Sequence, residues 1–139
     1  MLFRNCAGGV VFYGDEVFIL KNEKDEWILP KGVIKSGFLA HEVATSRVKE
    51  ETGIDAEILC TAGATSYEFY SISRKKPVCN EITWFIMSAK SKNFSVNESE
   101  GFKDGLFLPV DEAINYITYS QDKSLVRVSY EKYKNFKIK

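Results

Sequence analysis

The stretch GVIKSGFLAHEVATSRVKEETGI, residues 32–54, decides the fold prediction for this chain. Its second half combines good helix formers with apolar residues at helical spacing, and Gly53 stands where a helix commonly ends in a left-handed glycine. The pattern predicts a helix over residues 39–52. Gly32 and Gly37 bracket a loop before that helix, and glycines there let the backbone approach a ligand closely.

Two adjacent acids, Glu50 and Glu51, lie at the end of the predicted helix and raise the question of a metal site. Helix positions 47, 50 and 51 are i, i+3 and i+4 neighbours, so three carboxylates there would converge on a hard cation such as Mg²⁺. Position 47 is Arg47, so the acidic set is incomplete. Taken alone, the stretch is explained more simply as a solvated, charge-mixed helix face, with ion pairs of about 0.2–0.5 kcal/mol each.

The segments around this stretch predict a sheet and further helices. Two apolar runs, AGGVVF and VFILK, flank Tyr13-Gly14-Asp15, which is typical of a tight hairpin. Two longer β-rich segments, residues 55–72 and 80–90, are separated by a polar link in which Pro77 predicts a hairpin tip. The strand LFLPV and two helical patterns, residues 111–117 and 124–136, close the chain. This order predicts an α+β fold, with a mixed sheet packed by helices in one domain over residues 1–139.

Composition excludes several classes of function. Nineteen basic and nineteen acidic residues cancel, so we expect neither a nucleic acid polymer nor a membrane surface as the partner. No apolar run approaches the roughly 20 residues that a membrane span requires. Three cysteines in no paired spacing predict buried, reduced thiols in a cytoplasmic protein. The only histidine, His41, rules out a zinc site built on several imidazoles and receives no role.

The segment WILPKGVIKSGFLAHEVATSRVKEETGI resembles the Nudix box of the MutT-like hydrolases. Aligned without a gap, the matching positions are Gly32, Val48, Glu50, Glu51, Gly53 and Ile54. The box is degenerate, because Phe38 replaces its first glutamate and Ser46-Arg47 replaces its Arg-Glu pair. Outside the box, AGGVVF, VFILKN, PKG and LFLPVDEAINYI resemble the dinucleoside polyphosphate hydrolase branch. The resemblance implies a Nudix-type α/β/α sandwich, with a mixed β-sheet between helices.

The resemblance also implies a reaction, namely cleavage of a pyrophosphate bond in a nucleoside or dinucleoside polyphosphate. Mg²⁺ or Mn²⁺ would be bound by the Gly32 carbonyl with Glu50 and Glu51, and these two acids with the loop residue Glu100 would be catalytic. We expect weakened activity because Arg47 cannot be a metal ligand. Three roles remain open for Arg47. It pairs with Glu51 and blocks the metal site, it binds substrate phosphate, or a loop glutamate replaces the missing acid. The alternative function is an inactive Nudix-fold nucleotide-binding module.

The substrate side carries weaker predictions. The resemblance places Lys31 at the phosphates, although a surface lysine is as good an interpretation. Tyr67 and Tyr70, with Phe69 between them, would stack a base, but alternating aromatics in a strand more often pack one face and cover the other. Phe38 is expected to pack in place of the lost ion pair. Both a monomer and a homodimer remain open from the sequence.

Overall fold

The structure is a computed structural model that describes residues 1–138, with side chains through Phe136. It contains seven strands and three helices. The strands are β1 (Leu2–Tyr13), β2 (Glu16–Lys21), β3 (Trp27–Ile28), β4 (Lys31–Val33), β5 (Ala56–Ser71), β6 (Lys76–Ala89) and β7 (Asp104–Pro109). The helices are α1 (Ala40–Thr52), α2 (Val110–Tyr116) and α3 (Ser120–Ile138), and one 3-10 turn (Glu98–Glu100) precedes β7.

All seven strands form one mixed sheet. Its main path runs β3-β2-β1-β6-β5, while β4 pairs with β1 and β7 pairs with β2. The pairing of β1 with β6 is parallel, from Leu2 opposite Val78 to Phe12 opposite Ser88, and the other pairs are antiparallel. The predicted mixed sheet is therefore confirmed.

Helices cover both faces of this sheet because the side chains of a strand alternate between faces. On β1, Val10 and Phe12 pack into one core with residues of α2 and α3, and the Phe12 ring stacks on Tyr133 at 4.6 Å. Ala7 and Val11 belong to a second core with residues of α1. This arrangement confirms the predicted α+β sandwich with its sheet between helices.

The local predictions at the first hairpin and at the first helix are also confirmed. Gly14 joins β1 to β2 with φ of 62°. Helix α1 begins after Leu39 and ends at Gly53, whose φ of 71° is the left-handed conformation expected of a capping glycine. Glu42 closes the first turn by accepting a hydrogen bond from the backbone N of Leu39 at 3.0 Å. Helix α1 is therefore capped at both ends, by Glu42 at its start and by Gly53 at its end.

Two local predictions were wrong. Pro77 is the second residue of β6, opposite Tyr70, and residues 72–75 form the turn instead. Proline is tolerated there because Val78 is the first β6 residue that faces β1, so β1 does not need the missing N–H. Phe38 is 58% exposed, so no buried apolar contact replaces the lost ion pair.

The three cysteines, which the sequence predicts as buried, reduced thiols, are all described by the structure. Cys6 and Cys79 are buried and Cys60 is half-buried, all with free thiols. Burial raises the pKa of the Cys6 thiol, which keeps it protonated.

Within residues 1–138, no helix has the length and apolar character needed to cross a membrane.

Candidate active site

Arg47 lies at the centre of three carboxylates. Its Nη2 and Nε donate to the same Glu51 oxygen at 2.7 and 3.0 Å, and its Nη1 donates to Glu50 at 3.1 Å. Nη2 also lies 3.1 and 3.0 Å from the two carboxylate oxygens of Glu100. The guanidinium thus links the end of α1 to the 3-10 turn through charge-assisted hydrogen bonds.

The loop before β7 is fixed to the end of α1 by the backbone. Ser95 N donates to the Thr52 carbonyl at 2.8 Å, and Asn97 N donates to the Glu51 carbonyl at 3.0 Å. These are carbonyls of the last helical turn, which have no partner inside a helix. The Asn97 side chain adds a hydrogen bond to the Glu50 carbonyl at 3.2 Å. The loop therefore delivers Glu100 to the helix face that carries Arg47.

Burial dominates the electrostatics of the cluster. Glu51 is only 3% exposed, and burial raises the pKa of its carboxyl to about 7, although the hydrogen bonds and charge of Arg47 oppose this shift. For Arg47, burial lowers the pKa, but the hydrogen bonds and charges of Glu51 and Glu100 together outweigh it and leave the pKa raised. Arg47 is therefore always charged, and it is the cation that makes an ionised Glu51 tolerable.

Gly32 makes room for the Arg47 side chain. A Cβ at Gly32 would lie 2.6 Å from Cγ and 2.7 Å from Cδ of Arg47, both closer than real contacts allow. Gly32 cannot easily move away, because β4 pairs it with Ala7 of β1. The arginine stem therefore lies directly on the backbone of β4, with its far end fixed by the three acids.

Gly32→Ala is expected to destabilise the protein by about 1–3 kcal/mol, because the added methyl displaces an anchored side chain. In an Arg47→Ala background the obstructing atoms are absent, so the same glycine substitution should cost almost nothing. Urea unfolding of the unaltered protein, the two single variants and the double variant measures this coupling. Equal costs in both backgrounds would contradict the proposed contact.

A cavity of about 800 Å³ opens beside this cluster, with Glu100 and Lys31 on its wall. Lys31 Nζ lies 5.8 Å from the ring centroid of Tyr67, which also lines the cavity. The volume is in the range of small-molecule sites. Tyr70 is 62% exposed and is not part of the cavity wall, whereas its neighbour Phe69 is. The structure thus brings Lys31, Tyr67 and Glu100 together and leaves Tyr70 apart.

The model of the NUDIX domain matches residues 2–128, which is most of the chain. The chain belongs to the Nudix family. Its relatives include the MutT4 protein of Mycobacterium tuberculosis, 29% identical over 105 residues that make up 76% of this chain and 41% of that protein. The asymmetrical bis(5'-nucleosyl)-tetraphosphatase of Rattus norvegicus is 25% identical over 117 residues, 82% of this chain and 78% of that enzyme.

Among solved structures, a binary complex of a C. elegans Ap4A hydrolase has a TM-score of 0.75 at 17% identity, covering 96% of this chain and 98% of that one. This likeness shows the Nudix fold. The match of the NUDIX domain model to residues 2–128 confirms the predicted family. Nudix hydrolases act on small nucleotide substrates and generally use divalent metal ions.

The acids of this Nudix chain do not fit a metal ion as they are arranged. A divalent cation such as Mg²⁺ needs free, negatively charged oxygens around an open centre. Here the guanidinium of Arg47 occupies that centre, and it donates hydrogen bonds to Glu50, Glu51 and Glu100. Residues 1–138 contain no group of three or more acidic, histidine or cysteine side chains placed to hold a metal ion.

This Nudix cavity also contains a second group of polar residues, which the sequence analysis did not predict. The Tyr119 hydroxyl donates a short hydrogen bond to Glu26, which raises the pKa of the Tyr119 hydroxyl to about 12. Asn22 donates to the other oxygen of Glu26 at 2.9 Å. Asp122, three residues after Tyr119, also lines the cavity. Tyr119 and Glu26 are 93 residues apart, so no local pattern would have paired them.

Proposed function

We propose that this Nudix chain binds a nucleoside or dinucleoside polyphosphate in the 800 Å³ cavity. The phosphates would lie beside Lys31, and the base would lie against Tyr67. The observation that carries the proposal is that these two side chains share one cavity wall with Glu100, which is hydrogen-bonded to Arg47. One cavity thus combines a positive charge for the phosphates, an aromatic ring for the base and the Nudix acid Glu100.

Arg47 makes binding, rather than hydrolysis, the activity that the geometry supports best. One positive and three negative side chains give the cluster of Arg47, Glu50, Glu51 and Glu100 a formal charge of minus two. A glutamate in place of the arginine would make it minus four. Since a metal needs free carboxylate oxygens, Arg47 blocks the chemistry that Nudix hydrolases perform on their substrates.

A slow hydrolase is the second candidate, and the convergence of three acids beside Gly32 favours it. The Arg47 side chain is 25% exposed, so it can move toward solvent without first being uncovered. With Arg47 displaced onto substrate phosphate, Glu50, Glu51 and the Gly32 carbonyl would be free for Mg²⁺ or Mn²⁺. Glu100 would then be the remaining candidate for a general base.

Binding and hydrolysis are separated by one set of assays. ATP, GTP and diadenosine tetraphosphate are titrated calorimetrically in EDTA, and each is then incubated with Mg²⁺ or Mn²⁺ and analysed by ion exchange. Binding in EDTA without product supports the binding module. Product that is lost in the Glu50→Gln, Glu51→Gln double variant supports the hydrolase. If no nucleotide binds and no product forms, the proposed function is wrong.

Lys31→Gln is expected to weaken nucleotide binding about tenfold, because it removes the cation nearest the proposed phosphate position. Lys132→Gln, on an exposed part of α3, is the matched control and should change nothing. Calorimetry in EDTA measures both. An unchanged affinity in Lys31→Gln would remove Lys31 from the phosphate site.

A further inference from the structure

Asp122 is the unsatisfied acid of the cavity. It lies in the first turn of α3, is half-buried and lines the cavity wall. Within the described residues, its carboxylate accepts no hydrogen bond and forms no ion pair. Burial raises the pKa of its carboxyl, with the charge of Lys31 opposing the shift. A half-buried carboxylate without donors is costly, and N–H groups of a ligand would relieve that cost.

The other acids of the cavity wall are not in this condition. Glu26 already accepts hydrogen bonds from Tyr119 and Asn22. Glu100 accepts two hydrogen bonds from Arg47. The remaining two are exposed to solvent, namely Glu23 and Glu68. Among the acids of the cavity wall in residues 1–138, Asp122 thus combines partial burial with a carboxylate that has no hydrogen-bond or ion-pair partner.

The aromatic neighbours define what such a ligand group would look like. Tyr67 presents a ring to the cavity, and the cavity also reaches Trp84, which is only 1% exposed. The Trp84 indole N–H is not available to a ligand, because it donates to the Thr65 hydroxyl at 2.8 Å. Flat apolar walls with one bare carboxylate suit a planar heterocycle whose edge carries N–H donors.

Building on the proposed function, we propose that Asp122 selects a nucleotide with a guanine-type edge. The N1–H and the 2-amino group of guanine are adjacent donors, and a carboxylate has two acceptor oxygens to receive them. Adenine offers its amino group beside N1, which is an acceptor, so one carboxylate oxygen would face a lone pair. Hypoxanthine keeps N1–H but lacks the 2-amino group. Asp122 therefore ranks the three bases, because guanine pairs with both carboxylate oxygens, hypoxanthine pairs with one, and adenine pairs with one but sets the N1 lone pair against the other.

The test compares GTP, ITP and ATP by calorimetry in EDTA, where no metal-dependent cleavage interferes. The protein should bind GTP about tenfold more tightly than ITP, since the missing donor leaves one oxygen of the half-buried Asp122 carboxylate unpaired, and ATP should bind more weakly still. Asp122→Asn should lose about tenfold in GTP affinity and gain affinity for ATP, because an amide presents one acceptor and one donor. Asp111→Asn, on the exposed side of α2, is the control and should keep the order of the three ligands.

Each outcome supports or overturns the role of Asp122. Equal affinities of the unaltered protein for GTP, ITP and ATP, or an unchanged order in Asp122→Asn, would overturn the role of Asp122 and leave the proposed function standing. Binding of none of the three would overturn the role of Asp122, and the proposed function falls with it if diadenosine tetraphosphate also fails to bind and no product forms. Should Asp122→Asn fail to fold, as shown by its thermal unfolding, the order measured on the unaltered protein still decides.

Discussion

Arg47→Glu is expected to increase the affinity for Mg²⁺ or Mn²⁺ by about 100-fold or more, because it replaces the central cation with a fourth carboxylate. The acids at 47, 50 and 51 would then occupy i, i+3 and i+4 positions of α1, with Glu100 opposite them. In EDTA the same variant should be destabilised by repulsion among the four carboxylates. Metal at a hundredfold excess over Kd should then add about 2.7 kcal/mol to the free energy of unfolding.

Arg47→Gln separates the two causes of this effect, because it removes the guanidinium without adding a carboxylate. Its metal affinity should lie between those of the unaltered protein and Arg47→Glu. Calorimetry measures the affinities, and thermal unfolding with and without metal measures the stabilisation. If Arg47→Glu binds metal no better than the unaltered protein, the carboxylates at positions 47, 50, 51 and 100 do not converge on one metal position.

Arg47→Met is expected to destabilise the protein by about 3–5 kcal/mol at alkaline pH, since it leaves a buried carboxylate without its cation. The cost should be smaller at acidic pH. Glu51 has a folded-state pKa of about 7, above its ordinary value of 4.5, so its contribution to stability is fully present below pH 4.5 and is lost as the pH rises through 7. Without Arg47 the pKa of Glu51 rises further, and the loss extends to higher pH.

Urea unfolding in EDTA at about pH 5, 7 and 9 measures this dependence, which for Glu51 in the unaltered protein is on the order of 3 kcal/mol. The control is the double variant Arg47→Met, Glu51→Gln, which has no buried acid to titrate. Its free energy of unfolding should change much less with pH. A cost of Arg47→Met that is the same at every pH would show that Glu51 does not carry the effect.

The sequence was most informative where the deciding interactions are local. Gly14 at the hairpin and Gly53 at the helix end each need a left-handed backbone, and that requirement can be recognised from a few neighbouring residues. The contact of Arg47 with Glu51 follows from helix spacing alone. The presence of Glu100 in the same cluster came from the family resemblance, because 53 residues separate it from Arg47.

The rest of the cavity depends on contacts between distant segments. Asp122 approaches Lys31 only because α3 packs on the sheet that carries β4. The hydrogen bond between Trp84 and Thr65 depends on the register of β5 against β6, which includes two bulges. Side-chain patterns identify strands but do not fix such a register when a bulge adds a residue. The prediction of Pro77 at the hairpin tip failed for a different reason, because proline in a polar link is typical of a turn, whereas here it is accommodated at the start of β6 before the pairing with β1 begins.

The backbone hydrogen bonds that join the 95–97 loop to the end of α1 have an evolutionary consequence. Ser95 and Asn97 use their main-chain N–H groups, so the position of Glu100 does not depend on which side chain stands at 47. A lineage can therefore exchange Arg47 without rebuilding the loop, the helix or the sheet. A substitution at position 47 would therefore act on a loop and a helix end whose backbone contacts are already in place.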